Sequence, residues 1–382
     1  MSLREKEMDN KKTILHVFSQ LNSGGAETLI VRLAEYRNNK EVPFMFLLDK
    51  TEEGVYDEKV KALGSKLFYI KKFTGINAIR YVASIISFFL SDEGKKIDIV
   101  HGHVGSTASI YLLIAKMFGK NTVAHSHNSY SKKFNSKQIV YRLMAYPTRF
   151  LADKYVAPSM LAGESRFGRK VVESKEFNIL RNGFVIEDFE YNDENRRDIR
   201  KKLDISDDAV VISNVGRMVD AKNQTFFLDV LHKYAEKSEK EVVGLIIGSG
   251  PLHQKLVSKA SEMNIPVKFI SNTAEINKYY SAFDDFIFPS IFEGLGNVVV
   301  EAQMAGLNVL MSEAVPNEAV INNELVYVES LDSSIDSWVN RVEDLVLKNA
   351  NRNQKSAESL RGDGHQYDLK FVNEQLENIY SF

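Results

Sequence analysis

The chain has 382 residues, of which 44% are hydrophobic and 26% charged; this is the composition of a soluble globular protein, too long for one average domain. It has no cysteine, which excludes disulfides and thiolate metal sites and fits a reducing, cytoplasmic setting. The net charge of −2 conceals an asymmetry, because residues 1–182 carry 29 Lys and Arg against 18 Asp and Glu. That balance of +11 predicts that the first half meets an anion or an anionic surface, unless it is only a dipolar surface without a partner.

No segment of the chain is predicted to target or span a membrane. Residues 1–12 are highly charged, unlike a signal peptide. The longest apolar run, residues 81–90, is about half as long as a membrane span requires. We therefore expect a cytoplasmic protein, with the inner face of the plasma membrane as a further location that the basic first half would suit.

Apolar runs bounded by turn residues predict strands that alternate with helical patterns along the first half. The predicted strands are 13–18, 44–48, 66–70, 97–101, 122–125, 154–157 and 178–180. Alternation of strands and helices predicts an α/β fold with a parallel, doubly wound sheet.

The first predicted strand is followed by a glycine pair. Gly24 and Gly25 lie between this strand and a helical pattern with apolar Leu29, Ile30 and Leu33. Because glycine lets a backbone approach a ligand closely, this loop is a candidate ligand contact. A plain tight turn between strand and helix is the alternative.

Four histidines lie at the ends of two predicted strands: His101, His103, His125 and His127. The carboxyl ends of parallel strands border the ligand crevice of an α/β sheet, so their positions favour a functional role. For any one of them, a packed core histidine remains the alternative.

The stretch that follows, residues 130–150, is basic and amphipathic. It combines Lys132, Lys133, Lys137, Arg142 and Arg149 with apolar residues. This pattern indicates contact with an anionic membrane or with the phosphate of a lipid-linked acceptor. A solvated helix face would show the same pattern.

The second half repeats the alternation, with strands predicted at 210–215, 242–247, 267–270, 286–288, 309–311 and 325–328. The loop after the first of these contains Gly216, Arg217 and Lys222. A cation pair in such a loop can hold a diphosphate and stabilise charge that develops on a leaving group. Exposed cations at a helix start are the alternative, although they would oppose the helix dipole.

The loop after the second of these strands contains Gly248 and Gly250, followed by Pro251, which we expect at the first position of a helix. It lacks the third glycine of the dinucleotide fingerprint, so an NAD site is not predicted. An Asp-Asp pair at 284–285 opens an apolar strand, and the chain contains no D-x-D motif, so no metal site is predicted.

The most informative stretch is residues 284–306. A short apolar strand ends at Pro289 and Ser290, Glu293 follows, and a Gly294-Leu295-Gly296 loop leads into a helix for which Asn297 is the predicted N-cap. Glu293 and Glu301 flank this loop with seven residues between them. Because carboxylates repel phosphate, they are expected to bind sugar hydroxyls. Surface glutamates on an ordinary strand-to-helix turn are the alternative.

This stretch resembles the E-x7-E motif of the retaining glycosyltransferases of family 4, including the Phe-Pro-Ser and Glu-Gly-x-Gly segments around it. Gly216 to Lys222 is similar to that family's Gly-Arg-x-x-x-x-Lys-Gly, with Asn223 in place of the last glycine, and Gly24-Gly25-Ala26-Glu27 is similar to its first loop. The resemblance implies a GT-B fold of two Rossmann-like domains facing a central cleft, with a C-terminal helix that crosses back to the first domain. Residues 1–182 with about 365–382 would bind the acceptor, and residues 183–364 would bind a nucleotide sugar.

The resemblance also implies roles for single residues. Glu301 would bind the ribose hydroxyls, Arg217 and Lys222 the diphosphate, and Glu293 the donor sugar. His127 would lie at the reacting carbon, with His125 as the alternative match. The catalytic candidates are therefore His127, Glu293, Arg217 and Lys222, and the remaining candidates for donor contacts are Gly24, Gly25, Gly216, Gly248, Gly250, Leu295, Gly296, Asn297 and Glu301.

The predicted partners are a nucleotide-sugar donor and a glycan or lipid-linked acceptor, with peripheral membrane contact through the basic first domain and no nucleic acid. No cofactor and no metal are expected. The expected activity is retaining sugar transfer in cell-surface polysaccharide or glycolipid synthesis. Two alternatives stay open: another GT-B enzyme, such as a nucleotide-sugar epimerase or a sugar phosphorylase, and a non-catalytic sugar-binding protein at a membrane.

Overall fold

The computed structural model describes residues 12–22, 24–38, 42–127, 136–273, 275–348 and 351–382. The chain forms two compact units, each with one parallel sheet. Unit 1 consists of Met1–Phe184 and Leu369–Phe382, and unit 2 of Val185–Asp368. Among the described residues, no helix combines the length and the apolarity needed to cross a lipid bilayer.

Unit 1 contains a seven-stranded parallel sheet in the order β3-β2-β1-β4-β5-β6-β7. Its strands are β1 (Ile14–Phe18), β2 (Met45–Leu48), β3 (Lys66–Tyr69), β4 (Ile99–Gly102), β5 (Asn121–His125), β6 (Lys154–Ala157) and β7 (Phe177–Ile179). Its helices up to this point are α1 (Gly25–Arg37), α2 (Asp57–Ala62), α3 (Ala78–Leu90), α4 (Asp92–Lys95), α5 (Ala108–Met117), α6 (Ser136–Ala145), α7 (Thr148–Leu151), α8 (Met160–Phe167) and α9 (Arg169–Val172). Two apolar clusters cover the two faces of the sheet.

Unit 2 contains a six-stranded parallel sheet in the order β10-β9-β8-β11-β12-β13. Its strands are β8 (Val210–Val215), β9 (Val242–Ile247), β10 (Val267–Ile270), β11 (Asp285–Phe288), β12 (Asn308–Ser312) and β13 (Val326–Glu329). Its helices are α10 (Asp193–Lys202), α11 (Gln224–Lys237), α12 (His253–Glu262), α13 (Ile276–Ala282), α14 (Asn297–Met304), α15 (Ile335–Val346) and α16 (Arg352–Arg361). Short 3-10 turns cover Ile186–Phe189, Asp220–Lys222, Asn317–Ala319 and Asp363–Tyr367.

The predicted α/β fold is confirmed, and every predicted strand is present to within two residues at its ends. The reason is visible in β8 and β9, in which all six residues are buried. A parallel sheet covered by helices on both faces needs such continuous apolar runs, and these runs were the signal in the sequence.

The last helix, α17 (Leu369–Tyr380), packs on unit 1, as predicted. Its apolar stripe of Val372, Leu376 and Ile379 is buried in the same cluster as the α1 residues. Arg37 of α1, which is 5% exposed, forms an ion pair with Glu377. The helix therefore supplies part of the core beneath the first sheet.

Residues 352–361, a polar segment of the sequence, form helix α16. Arg352 donates hydrogen bonds to the backbone carbonyls of Tyr280, Phe283 and Ala305. Ser356 Oγ donates to the carbonyl of Met304 at 2.6 Å. These polar side chains of α16 thus have their hydrogen-bond partners inside unit 2.

Candidate active site

Two glycine-containing loops of unit 2 lie against each other at the carboxyl ends of β8 and β9. Gly216 N–H donates to the carbonyl of Ile247 and Met218 N–H to that of Ser249, both at 2.9 Å. A Cβ at Gly248 would lie 2.1 Å from the Gly216 carbonyl oxygen, and one at Gly250 would lie 2.3 Å from the Met218 carbonyl oxygen. The two predicted glycines are therefore required for the backbones to pass this closely.

The structure brings Lys222 and Glu293 together. Lys222 Nζ lies 2.6 Å from Glu293 Oε1, and Ser290 Oγ donates to the same carboxylate oxygen at 2.6 Å. Lys222 Nζ also lies 4.8 Å from the centre of the Phe288 ring. The loops are joined by a hydrogen bond from Ile291 N–H to the Ala221 carbonyl at 2.8 Å. A cation and a carboxylate are thus held at one place, each largely removed from water.

Arg217 lies in the same loop as Lys222, five positions earlier. Its side chain is exposed, and it has no ion-pair partner among the described residues. Its backbone carbonyl accepts a hydrogen bond from Gln224 Nε2 at 3.3 Å, which ties the loop to the start of α11. The loop is therefore anchored while the guanidinium is presented to solvent, where an anion can bind it.

Glu301, on α14, is oriented by a residue that the sequence analysis missed. Tyr280 O–H donates to Glu301 Oε2 at 2.8 Å. Tyr280 is completely buried, and this burial, followed by the charge of Glu301, raises the pKa of its hydroxyl well above the usual value. The hydroxyl therefore stays protonated and remains a donor to the carboxylate. In the sequence, Tyr280 is indistinguishable from the core aromatics around it.

The prediction that Asn297 caps α14 is wrong, because the N-cap is Gly296 and Asn297 is the first residue of the helix. Gly296 has φ +92° and ψ 54°, a left-handed conformation that favours glycine. A Cβ at this position would lie 3.1 Å from Val315 Cγ1. Leu295 is buried just before the turn. The N-terminus of α14 thus begins directly after the glycine loop.

In unit 1, Gly24 is the N-cap of α1, and Gly25 is exposed at its first position. Nothing lies within 4 Å of a Cβ built on Gly25, whereas one on Gly24 would meet the carboxylate of Glu27. Burial raises the pKa of that carboxylate. The open space at Gly25 leaves the backbone accessible to a ligand, while Gly24 makes room for Glu27.

The four predicted histidines form one array with a fifth, His16, which the sequence analysis missed. His16 lies in the middle of the apolar strand β1, in register with His101 on β4. In one hydrogen-bonded chain, His16 Nδ1 lies 2.9 Å from His103 Nε2, and His103 Nδ1 lies 2.7 Å from His127 Nε2. The pairing of β1 with β4 was the signal that could have predicted this residue.

A second series of hydrogen bonds in the array joins α17 to β4 and β5. Tyr380 O–H contacts His101 Nδ1 at 2.6 Å, and His101 Nε2 lies 3.1 Å from His125 Nδ1. His125 is 5% exposed, and His127 is half-buried just beyond the strand end. The accessible position at the strand end therefore belongs to His127.

All five imidazoles are neutral near pH 7. Burial lowers the pKa of His101 and of His127 to about 3. Burial also lowers the pKa of His16, His103 and His125 well below the usual value, with a smaller effect from the neighbouring rings. A neutral imidazole carries one donor and one acceptor nitrogen, so each chain can run as an alternating relay of N–H groups and lone pairs.

Neutral imidazoles are also metal ligands. Two sets of three, His16, His101 and His103, and His103, His125 and His127, place one nitrogen each within 4.8 Å of the others. Hydrogen bonds between the rings already engage several of these nitrogens. The array is therefore organised as a hydrogen-bonded relay, and a metal would have to displace those contacts.

Residues 195–361 match the family model of the group 1 glycosyl transferases. Over this range the chain is similar to those enzymes. The matched range contains all four charged candidates, Arg217, Lys222, Glu293 and Glu301.

Two curated relatives extend the similarity beyond residues 195–361. EpsF of Bacillus subtilis, a glycosyltransferase by name, is 29% identical over 339 residues, which is 87% of each chain. An Escherichia coli enzyme is 25% identical over 290 residues, 73% of this chain and 75% of its own. It is named as a galactosyltransferase that acts from UDP-Gal on GlcNAc-diphosphoundecaprenol.

The fold of the chain is that of the GT-B glycosyltransferases. The crystal structure of HepE from Anabaena in complex with UDP superposes with a TM-score of 0.79 at 16% identity, covering 97% of this chain and 99% of that one. At this identity the likeness shows the fold, namely two α/β units that each contain a parallel sheet.

Proposed function

We propose that the chain is a retaining glycosyltransferase that moves a sugar from a nucleotide-sugar donor to a glycan or lipid-linked acceptor. The observation that carries the proposal is the 2.6 Å contact between Lys222 and Glu293 beside the paired glycine loops. A nucleotide sugar offers a diphosphate next to a ring of hydroxyls. A cation beside a carboxylate matches that arrangement, since the cation binds phosphate oxygens and the carboxylate accepts from hydroxyls.

In this proposal, unit 2 holds the donor. Lys222 and the exposed Arg217 neutralise the diphosphate and the charge that develops on it as the sugar leaves. Lys222 has three N–H donors, so it can serve the diphosphate and Glu293 together. Glu301, oriented by Tyr280, accepts from the ribose hydroxyls. The backbone amides of residues 295–297 assist at the start of α14.

The proposed chemistry needs no protein nucleophile. The bond from the anomeric carbon to the diphosphate oxygen breaks, and a bond from that carbon to the acceptor oxygen forms on the same face. The leaving phosphate oxygen takes the proton of the acceptor hydroxyl, so atoms and charges balance and the configuration is retained. His127, a neutral imidazole of unit 1, is the proposed contact to the transferred sugar. The proposal includes no divalent metal and no cofactor.

A UDP-sugar is the first donor to test. The HepE structure contains UDP, and the Escherichia coli relative is named for UDP-Gal and a diphosphoundecaprenol-linked acceptor. A lipid-linked acceptor would place the reaction in the assembly of a cell-surface polysaccharide or glycolipid.

The experiment is a release assay on the purified chain. UDP-glucose, UDP-galactose and their N-acetyl forms are incubated with and without GlcNAc-diphosphopolyprenol, in the presence of a chelator, and free UDP is measured. We expect release that requires the acceptor and a product whose anomeric configuration matches the donor by NMR.

Other results would contradict the proposal. Conversion of the UDP-sugar without acceptor would identify an epimerase. A rise in the thermal midpoint with UDP but no turnover over a broad panel of acceptors would indicate a sugar-binding protein. A product with the anomeric configuration inverted relative to the donor would exclude a retaining mechanism.

A further inference from the structure

One long stretch of unit 1 contains no carboxylate. Between Asp98 and Asp153, residues 99–152 include seven cations and no Asp or Glu. With 51 acidic residues in 382, about seven would be expected in a stretch of this length. The cations are Lys116, Lys120, Lys132, Lys133, Lys137, Arg142 and Arg149. A stretch of this composition is therefore expected to attract anions more strongly than the chain's net charge of −2 indicates.

The same stretch exposes large apolar side chains on neighbouring helices. Ile139 and Leu143 lie on α6, Tyr146 directly follows it, and Phe150 lies on α7, at intervals of three or four residues. Leu143 is 68% exposed and Phe150 72% exposed. Isolated exposed apolar residues are ordinary, but a stripe of four indicates a surface with a partner.

Helix α5 extends this stripe into a patch. It packs against both α6 and α7, and Ser109 Oγ donates to the carbonyl of Met144 at 2.7 Å. Leu113 and Met117 follow Ser109 at intervals of four residues, so they lie on the same side of α5. Met117 is 74% exposed. We define the apolar patch as Leu113, Met117, Ile139, Leu143, Tyr146 and Phe150.

Cations lie within the patch as well as around it. The Arg149 guanidinium stacks on the Tyr146 ring at 4.0 Å, and its neighbour Phe150 points into solvent. Arg142 lies between Ile139 and Tyr146 on α6. Lys116 pairs with Asp153 at 2.6 Å, the carboxylate at which the basic stretch ends. An apolar stripe with arginines on its flanks and aromatic residues among them is the composition of a helix that lies in a membrane interface.

We propose that the apolar patch binds the surface of an anionic lipid bilayer. The apolar side chains enter the boundary between head groups and acyl chains, and Arg142 and Arg149 contact lipid phosphates. A second copy of this chain fits the surface less well, because a symmetric dimer would bring Arg142 and Arg149 of both copies together on a patch that contains no carboxylate. The inference goes beyond the proposed function, since it requires neither a donor nor an acceptor.

The test is sedimentation of the full chain with vesicles in the absence of nucleotide sugar. We expect binding to phosphatidylglycerol vesicles, little binding to phosphatidylcholine vesicles, and weakening as salt is raised. The double variant Leu143→Glu with Phe150→Glu is expected to lose about tenfold or more in partitioning. Leu347→Glu, which replaces an 85% exposed leucine of unit 2, is the matched control and should bind like the unaltered chain.

A second measurement tests whether the apolar patch enters the bilayer. The chain has one tryptophan, Trp338, which is buried in unit 2. In the variant Phe150→Trp, we expect a blue shift of the emission when anionic vesicles are added. The same substitution at Leu347 should give none.

Three results would overturn the proposal. They are equal binding to both kinds of vesicle, equal loss in Leu347→Glu, and a chain that forms dimers through the patch and does not sediment with vesicles. Because the replaced residues are exposed, circular dichroism and the thermal midpoint are expected to be unchanged, which separates lost binding from misfolding.

Discussion

Lys222 Nζ and Glu293 Oε1 lie 2.6 Å apart, and neither group is more than one-fifth exposed. A pair removed from water in this way is costly to break from one side, because the remaining charge has lost its partner and cannot regain full hydration. The contact therefore couples the fold of unit 2 to the proposed binding of the donor.

The first prediction is a double-mutant cycle on this pair. Glu293→Gln and Lys222→Met are each expected to lower the free energy of unfolding. The sum of these two losses should exceed the loss in the double variant by a coupling energy of about 1 to 3 kcal/mol. Urea unfolding measures it. Glu293→Gln with intact folding and undiminished turnover would exclude the proposed role in sugar binding.

The second prediction separates Arg217 from the structural pair. Arg217→Ala is expected to cost about 2 to 4 kcal/mol of transition-state stabilisation, measured as kcat/KM, because it removes a cation from the developing diphosphate charge. The thermal midpoint should not change, since the side chain is exposed. Arg197→Ala, an exposed arginine on α10, is the control and should leave both quantities unchanged. Unaltered turnover in Arg217→Ala would refute the diphosphate assignment.

The third prediction concerns the tyrosine that orients Glu301. Tyr280→Phe removes one hydrogen bond to a carboxylate, so UDP affinity is expected to fall about tenfold, which is about 1.4 kcal/mol. Turnover at saturating donor should change little. The neighbouring Tyr279, also buried, contacts Lys202 and not Glu301, so Tyr279→Phe is the control. Calorimetric titration with UDP would show equal affinities for the two variants if Tyr280 had no part in binding.

The fourth prediction follows from the buried histidines. The pKa of His101 and of His127 is about 3 in the folded chain, whereas an unfolded histidine titrates near 6.5. As the pH falls below about 6.5, the unfolded chain takes up protons that the folded chain does not, so the free energy of unfolding decreases. Each histidine contributes up to about 1.4 kcal/mol per pH unit until the folded-state pKa is reached.

Urea unfolding of unit 1 between pH 7 and pH 5 measures this dependence. His101→Gln is expected to reduce the slope of the free energy of unfolding against pH. His253→Gln, which replaces an exposed histidine outside the array, is expected to leave this slope unchanged. An identical slope in both variants would show that the array does not control the acid sensitivity.

The fifth prediction concerns the tautomer of His127. His16 Nε2 is buried and has no hydrogen-bond partner among the described residues. An unpaired buried acceptor is tolerated more readily than an unpaired N–H, so the proton of His16 is expected on Nδ1. His103 then donates from Nδ1 to His127 Nε2, and His127 carries its own proton on Nδ1, ready to be donated to a substrate.

Nitrogen NMR of the isotope-labelled chain determines the tautomer of His127 and requires no measurement of activity. We expect His127 as the Nδ1–H form in the unaltered chain, a mixture in His103→Leu, and recovery in His103→Asn, whose side-chain amide can supply the lost donor. A pure Nε2–H form in the unaltered chain would reverse the inferred direction of the relay.

The fold could be predicted from the sequence because parallel strands such as β8 and β9 are buried on both faces and therefore read as uninterrupted apolar runs. Charged residues of the candidate site were also visible, since Lys222 and Glu293 follow strands in polar or glycine-rich segments and Glu301 completes the spacing of seven residues after Glu293.

What the sequence hid has one physical cause, namely polar atoms satisfied by distant partners. His16 sits within an apolar strand, and its hydrogen bond to His103 spans 87 positions. Tyr280 looks like a core aromatic until its hydroxyl is seen to reach Glu301. Arg352 and Ser356 have no visible partner in the sequence, and in the structure they bond to carbonyls of α13 and α14 and of the segments that follow them.

The docking of α17 has a consequence for biosynthesis. Leu369, Val372, Leu376 and Ile379 complete an apolar cluster whose other members come from the first half of the chain. A ribosome makes these residues after all of unit 2. The amino-terminal unit must therefore wait, with one face of its sheet incompletely covered, until α17 has been made, whereas unit 2 can close as soon as it emerges.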